Sequence, residues 1–311
     1  MNELNQKDFE QALNECASEP IHQIGSIQPH GAVIVLSADD QRTVLQASEN
    51  LGDFIDLPSP DDIVHGQTLA ELIGKVPADD VETLIRIAKN KNTATGKLSF
   101  NRQNGRQAFD AHVYQSDGLF VLEFSHDEGA HQESRLAELL LDMQQTQLLS
   151  GAATNTTEYF NQVAALVRTL TGYDSVMVYR FDADWNGEIF CQRRADAAPS
   201  YLGMYFPSSD IPPQARRLYT INLVRIVADI AASPVAVLPA LNPATGQSLD
   251  MTYSALRSLS PIHMEYLHNI GVRASMVMSL LQNGRLWGLI VCHHMTPKRC
   301  LLYTSPSPRD S

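Results

Sequence analysis

The sequence predicts an α+β protein of two domains, each built on a central antiparallel sheet flanked by helices. Short apolar runs broken by Asn-Gly and Asp-Gly dipeptides fill residues 31–125, a pattern of strands joined by tight turns. Helical periodicity interrupts the runs in "TLAELIGKVPADDVETLIRIAKN" and again in "EYFNQVAALVRTLTGY". A polar break, "HDEGAHQES", divides a chain of 311 residues, long enough for two cores.

In the first domain, "GAVIVLSADDQRTVLQASEN" and "GKLSFNRQNGRQAFDAHVYQSDGLFVLEFS" read as strands. Asn104-Gly105 and Asp117-Gly118 are two-residue hairpin turns, because these residue types tolerate positive φ. With its helix between the strand groups, this region, residues 21–128, has the size and order of a PAS-like module. "RLAELLLDMQQTQLL" then forms a connecting helix past a boundary near Gly129. The second domain, residues 129–298, opens with a helix closed by Gly172 and a strand, "SVMVYRFD". A turn at Asn186-Gly187 returns the chain through "EIFCQRR", and "ASMVMSLLQNGRLWGLIVCHH" makes a later hairpin about Asn283-Gly284. Helix, hairpin, long insert, helix and hairpin is the order of a GAF-type domain. Residues 299–311, Ser/Pro-rich at the end, read as an unstructured or foreign tail, and residues 1–20 as a separate N-terminal segment.

Composition removes several functions. A net charge of −12 and a pI near 5.2, with no basic cluster, exclude nucleic acid as partner. No apolar run reaches the roughly 18 residues of a membrane span, and "MNELNQKDFEQ" lacks signal-peptide character, so a cytoplasmic protein is expected. Cys16, Cys191, Cys292 and Cys300 form no CxxC pair, which argues against a zinc ribbon, a redox motif or a disulfide framework. In "CHH" only Cys292 and His294 share a strand face, too few ligands for a metal. No familiar catalytic motif is present, so no enzyme is expected.

The most distinctive stretch is "PSSDIPPQARRLY", Pro207 to Tyr219. The paired prolines forbid a helix before about Pro213, leaving Asp210 outside it with an uncommitted carbonyl and a free carboxylate. By itself this is also how an ordinary helix-entry turn reads. Arg225 and Arg257 supply planar guanidinium groups suited to a carboxylate ligand, although a surface position explains either one equally. "SPIHMEYLHNIG" has Ser260 as N-cap and Pro261 at the first helical position, which places His263 in the first turn as a neutral imidazole.

Taken together, "PIHQIGSIQPHG", "VMVYRFD", "PSSDIPPQARRLY", "INLVRIVADI", "YSALRSLSPIHMEYLHNIGVRASM" and "GRLWGLIVCHH" resemble the PAS-GAF photosensory core of bacteriophytochromes over roughly residues 10 to 298. The resemblance implies biliverdin, a linear tetrapyrrole, held in the second domain and bonded covalently through Cys16, with the N-terminal segment knotted through a loop of the GAF domain. It implies that the Asp210 carbonyl, in the Asp-Ile-Pro turn with Ile211, accepts from the pyrrole nitrogens. Arg225 and Arg257 would hold the propionates; Tyr179, Phe206 and Tyr219 would line the ring-D end; His263 and His293 would hydrogen-bond the chromophore. Ile262 stands where cyanobacterial and plant relatives carry their attachment cysteine, which favours the Cys16 linkage. Where many relatives read Arg-Ala-Ser-Met-Ser this chain ends in Val277, leaving Ser275 as the hydroxyl for a propionate.

The function so implied is a red/far-red photoreceptor that signals by ring-D isomerisation, as a homodimer, to a histidine kinase and response regulator. The chain stops soon after "CHHMTPK", where the family continues into a third sensory domain, so an incomplete receptor is expected. The competing function is a PAS-GAF pair that binds another small ligand or serves dimerisation without photochemistry.

Overall fold

The computed structural model describes residues 19–57, 65–102, 105–126 and 155–299. Two antiparallel sheets organise them, as the sequence predicts, and each sheet belongs to its own compact unit.

The first unit joins residues 22–126 to 231–259. Its strands are β1 (Ser26–Ile27), β2 (Gly31–Leu36), β3 (Val44–Ser48), β4 (Thr93–Arg102), β5 (Gly105–Ser116), β6 (Leu119–His126) and β11 (Val235–Leu238), in the order β1-β11-β3-β2-β6-β5-β4. The helical stretch of the sequence is two helices, α1 (Leu69–Ile73) and α2 (Lys75–Lys91), parted by Gly74 at φ 90°. Thr68 opens α1 in a reciprocal box: its hydroxyl accepts from the Glu71 N–H, and the Glu71 carboxylate accepts from the Thr68 N–H at 2.8 Å.

Both faces of this sheet are covered. On β2, Ala32, Ile34 and Leu36 join the core beneath the helices, with Leu69, Val81 and Ile85. Val33 and Val35 point the other way, into a second core with Val237, Leu249, Met251 and Leu256 of the returning segment. A strand buried on both sides reads as one continuous apolar run, which is what "GAVIVL" is. Glu123, 1% exposed, fastens the segment: its carboxylate accepts from the Ser254 hydroxyl and from the N–H groups of Ala255 (2.8 Å) and Leu256 (3.2 Å). Each such charge-assisted bond replaces hydration that a buried carboxylate would otherwise lack. Asp117 and Gly118 take φ of 49° and 77°, the hairpin turn expected of them. Gly105 pairs with Arg102 and opens β5, so it is a strand residue and not the second residue of a turn.

The second unit holds residues 155–230 with 260–299. Its sheet runs β10-β12-β13-β7-β8-β9, formed by β7 (Ser175–Phe181), β8 (Gly187–Arg194), β9 (Tyr205–Phe206), β10 (Val224–Val227), β12 (Ala274–Gln282) and β13 (Arg285–His294). The helices are α3 (Thr156–Thr171), α4 (Pro213–Ile221) and α5 (Pro261–Asn269). α3 starts at Asn155, whose side chain accepts from the Glu158 N–H, and stops at Gly172, as its sequence predicts. Asn283 and Gly284, at φ 52° and 77°, make the β12–β13 turn.

The β7–β8 connection differs from the expected Asn186-Gly187 turn. Phe181 pairs with Gly187, so the loop spans residues 182–186 and Gly187 lies in β8. The Asp182 carboxylate closes that loop by accepting from the N–H groups of Asp184 (2.9 Å) and Asn186 (2.8 Å). The expected connecting helix, the attachment residue Cys16, the threading of the N-terminal segment and the tail beyond residue 299 fall outside the described residues.

Candidate functional site

A cavity of about 720 Å³, counted with its open mouth, lies in the second unit. β7, β8, β12 and β13 supply one wall, α5 another, and the Asp210 turn with α4 a third. Most of the wall is apolar or aromatic. Asp210, His263, Ser275 and His293 are the polar exceptions, together with tyrosine hydroxyls.

Of the residues named from sequence, Tyr179, Phe206, Asp210, Ile211, Tyr219, His263, Ser275 and His293 all line this cavity. Ser260 is the N-cap of α5 and accepts from the His263 N–H at 3.3 Å, which fixes the turn carrying that imidazole. Arg225, on β10 opposite Val277, is close enough for its charge to act on His263. Arg257 belongs to the first unit, where it is 6% exposed and donates its N–H to the Ser254 hydroxyl at 2.8 Å. Cys16 lies outside the described residues.

Sequence reasoning missed Met177, Ile189, Tyr201, Tyr266, Leu267, Ile270, Leu289 and Val291. For six of these eight the signal was periodicity. Met177 precedes Tyr179 by two, and Leu289 and Val291 precede His293 by four and two, all in phase on their strands. Tyr266, Leu267 and Ile270 follow His263 at helical spacing, on one face of α5.

Burial sets the electrostatics. The pKa of His263 is pulled down to about 4, first by burial and then by the Arg225 charge. That of His293 also falls to about 4, by burial and by His263 beside it. Both rings are therefore neutral at pH 7 and present one donor and one acceptor nitrogen each. Burial pushes the Tyr179 hydroxyl far above its ordinary value, with Asp210 adding to the push. The Asp210 carboxyl is raised by partial burial, against a lowering hydrogen bond from Ser209.

Protonation of these histidines opposes folding. Unfolded histidine titrates near 6.5, so between that pH and about 4 the unfolded chain binds protons that the native chain refuses. The ligand-free protein should lose on the order of 1–2 kcal/mol per histidine between pH 7.5 and pH 5, with the loss levelling off below about pH 4. Thermal melts check this, and a His263→Gln/His293→Gln variant should show a shallower decline; equal slopes would contradict it.

The residues fit a flat, conjugated ligand bearing N–H and carbonyl groups. The Tyr179 hydroxyl and the His293 Nδ1 are buried in the wall without a partner among the described residues, and buried polar atoms of this kind are rare unless a bound molecule meets them. The aromatic rings of Tyr179 and Phe206, 6.1 Å apart, offer faces for stacking.

Comparison with known proteins agrees with this geometry. Residues 16–126 match the family model described as PAS fold, and residues 155–306 match that of the GAF domain. The bacteriophytochrome of Pseudomonas aeruginosa is 41% identical over 92% of this chain, and cyanobacterial phytochrome B of Nostoc is 40% identical over 93%. The solved chromophore-binding domain of Stigmatella aurantiaca phytochrome P1 superposes with a TM-score of 0.80 at 37% identity, covering 93% of both chains. That of the R. palustris bacteriophytochrome RpBphP3 gives 0.80 at 33%, covering 92% of this chain and 91% of its own.

The chain belongs to the bacteriophytochrome family.

This bacteriophytochrome chain spans 38% of the length of the Pseudomonas and Nostoc proteins it matches. Neither of the two matched models is a kinase.

Proposed function

We propose that this chain is a red/far-red light-sensing module that holds biliverdin in the cavity of the second unit, linked covalently through Cys16. The observation that carries the reading is the cavity itself. Apolar and aromatic walls surround a few convergent polar groups, and its buried Tyr179 hydroxyl and His293 nitrogen lack protein partners among the described residues. Bound there, a linear tetrapyrrole would supply a conjugated system able to absorb red light and a double bond between rings C and D able to isomerise.

The chain's own residues have separable tasks. Asp210 lies outside the helical hydrogen-bond ladder, whose first acceptor is the carbonyl of Pro212, so its main-chain oxygen is available to pyrrole N–H groups. Its carboxylate favours a cationic ligand over a neutral one. Arg225 is proposed to meet a propionate, with Ser275 as a hydroxyl donor; a local guanidinium is needed because a protein of charge −12 repels a dicarboxylate at long range. His263 and His293, held neutral, can hydrogen-bond ligand carbonyl and N–H groups without adding charge. Tyr179, Phe206, Ile211 and Tyr219 exclude water from the ring-D end.

Arg225→Ala should slow biliverdin uptake about tenfold, since a charge-assisted hydrogen bond contributes roughly 1.5–3 kcal/mol. Stopped-flow growth of the red absorption band measures it, and an unchanged rate would remove the clamp.

Dimerisation, and output through a histidine kinase and response regulator, are part of this proposal. A cytoplasmic setting is proposed too; among the described residues, no helix is long and apolar enough to cross a membrane. The experiment that tests the function is a light-minus-dark spectrum of the biliverdin-loaded protein. Reversible bleaching of a red band under red light is expected. A stable red band that light leaves unaltered would favour a non-photochemical binding module.

A further inference from the structure

The second arginine-bearing helix turn of "PSSDIPPQARRLY" contains a device that the reading above does not use. Arg216, on α4, turns its guanidinium back over the start of its own helix. Its Nη1 donates to the carbonyls of Ser208 (3.2 Å) and Ile211 (2.8 Å), one on each side of Asp210. The guanidinium also lies over the ring of Trp185, 4.8 Å from its centroid.

Trp185 is itself held in place. It sits at φ 65° in the loop that Asp182 closes, a left-handed conformation that an aromatic residue adopts only when the surroundings impose it. The next residue, Asn186, accepts the Ser208 N–H on its Oδ1 at 3.2 Å and gives its own side-chain N–H to Asp182 at 3.1 Å. The β7–β8 loop thus grips the Asp210 turn twice, through Asn186 at Ser208 and through Trp185 and Arg216 at Ser208 and Ile211. The Asp210 N–H closes the turn on the Pro207 carbonyl at 3.0 Å.

We propose that Arg216, seated on Trp185, is a positioning residue that fixes the Asp210 turn so that the Asp210 carbonyl faces the ligand. The inference rests on the proposed bilin site. Arg216 occupies the neighbouring carbonyls of Ser208 and Ile211 and leaves that of Asp210 outside the clamp. A turn held by a planar guanidinium fork loses its conformational freedom before the ligand arrives, and a preorganised acceptor stabilises a protonated ligand more than a mobile one does. Arg217, next in sequence and exposed, lies outside this clamp and serves as a control.

The test has an arm without ligand. In the ligand-free protein, the Asp210 amide should exchange about tenfold faster in Arg216→Met and in Trp185→Leu than in wild type, while Arg217→Met leaves it unchanged. Combining Arg216→Met with Trp185→Leu should add nothing, because both break one support. In the biliverdin-loaded protein, alkaline titration of the red band should shift down by about one pH unit in Arg216→Met, a tenfold loss of proton affinity, and less in Arg216→Lys. Wild-type exchange or a wild-type titration in Arg216→Met would overturn the proposal, and additive effects of the two substitutions would overturn the role of Trp185. Failure of wild type to take up biliverdin would instead sink the bilin site, and the exchange arm would still decide whether Arg216 holds the turn.

Discussion

Gly187→Val should close the cavity from within. A Cβ at position 187 would fall 1.6 Å from Cζ of Tyr179, an overlap that no small shift relieves. The Tyr179 main chain cannot move toward β13, because Gly288 already approaches it so closely that a Cβ there would lie 2.4 Å from the Tyr179 carbonyl oxygen. The phenol ring, which lines the cavity, is then the part expected to shift, into the space a ligand would fill. Overpacking of this kind costs roughly 1–3 kcal/mol of stability, and uptake of biliverdin should slow by far more than tenfold. Tyr179→Ala in the same chain should restore uptake, since it removes the ring that Gly187 accommodates. Normal uptake by Gly187→Val, or no rescue by the second substitution, would show that the Tyr179 ring does not set the width of the pocket.

Cys16→Ser should abolish covalent attachment while leaving uptake in place. Sulfur is required for a thioether and a serine hydroxyl is a far weaker nucleophile, whereas the cavity walls that surround the ligand come from residues 177–293 and are untouched. The variant should show a red band in native buffer and lose all bilin on denaturation. Zinc-enhanced bilin fluorescence on a denaturing gel of Cys16→Ser would place the linkage elsewhere; Cys191 and Cys292 are both buried.

Much of the fold was legible because it is locally encoded. Asp117-Gly118 and Asn283-Gly284 dictate their own hairpins, Ser260 and Pro261 their own helix start, and Pro212-Pro213 the first residue of α4. The cavity was legible in part for the same reason. Tyr179, His263 and His293 were recognised by motif, and Met177, Leu289, Val291, Tyr266, Leu267 and Ile270 follow from them by counting in twos along β7 and β13 and in threes and fours from His263, whereas Ile189 and Tyr201 do not.

What escaped was non-local. β11 pairs with β1 and β3 across roughly two hundred residues, and nothing within "VAVL" announces those partners. The apolar run of β2 signals a strand buried on both faces, yet which segment supplies the second face depends on Leu249, Met251 and Leu256 returning to it. Asn186-Gly187 was misread because a side chain, that of Asp182, determines the loop, and because the glycine serves the Tyr179 ring and not a turn. Dipeptide rules see the backbone demand of a turn and miss a close approach from the neighbouring strand.

The central claim is that this cavity holds a bilin, and a titration of the purified protein with biliverdin tests it most directly. The account predicts an intense, narrowed red band that grows to saturation at one biliverdin per chain, with Tyr179 and His293 now partnered. A spectrum equal to the sum of free biliverdin and protein at every ratio would contradict it.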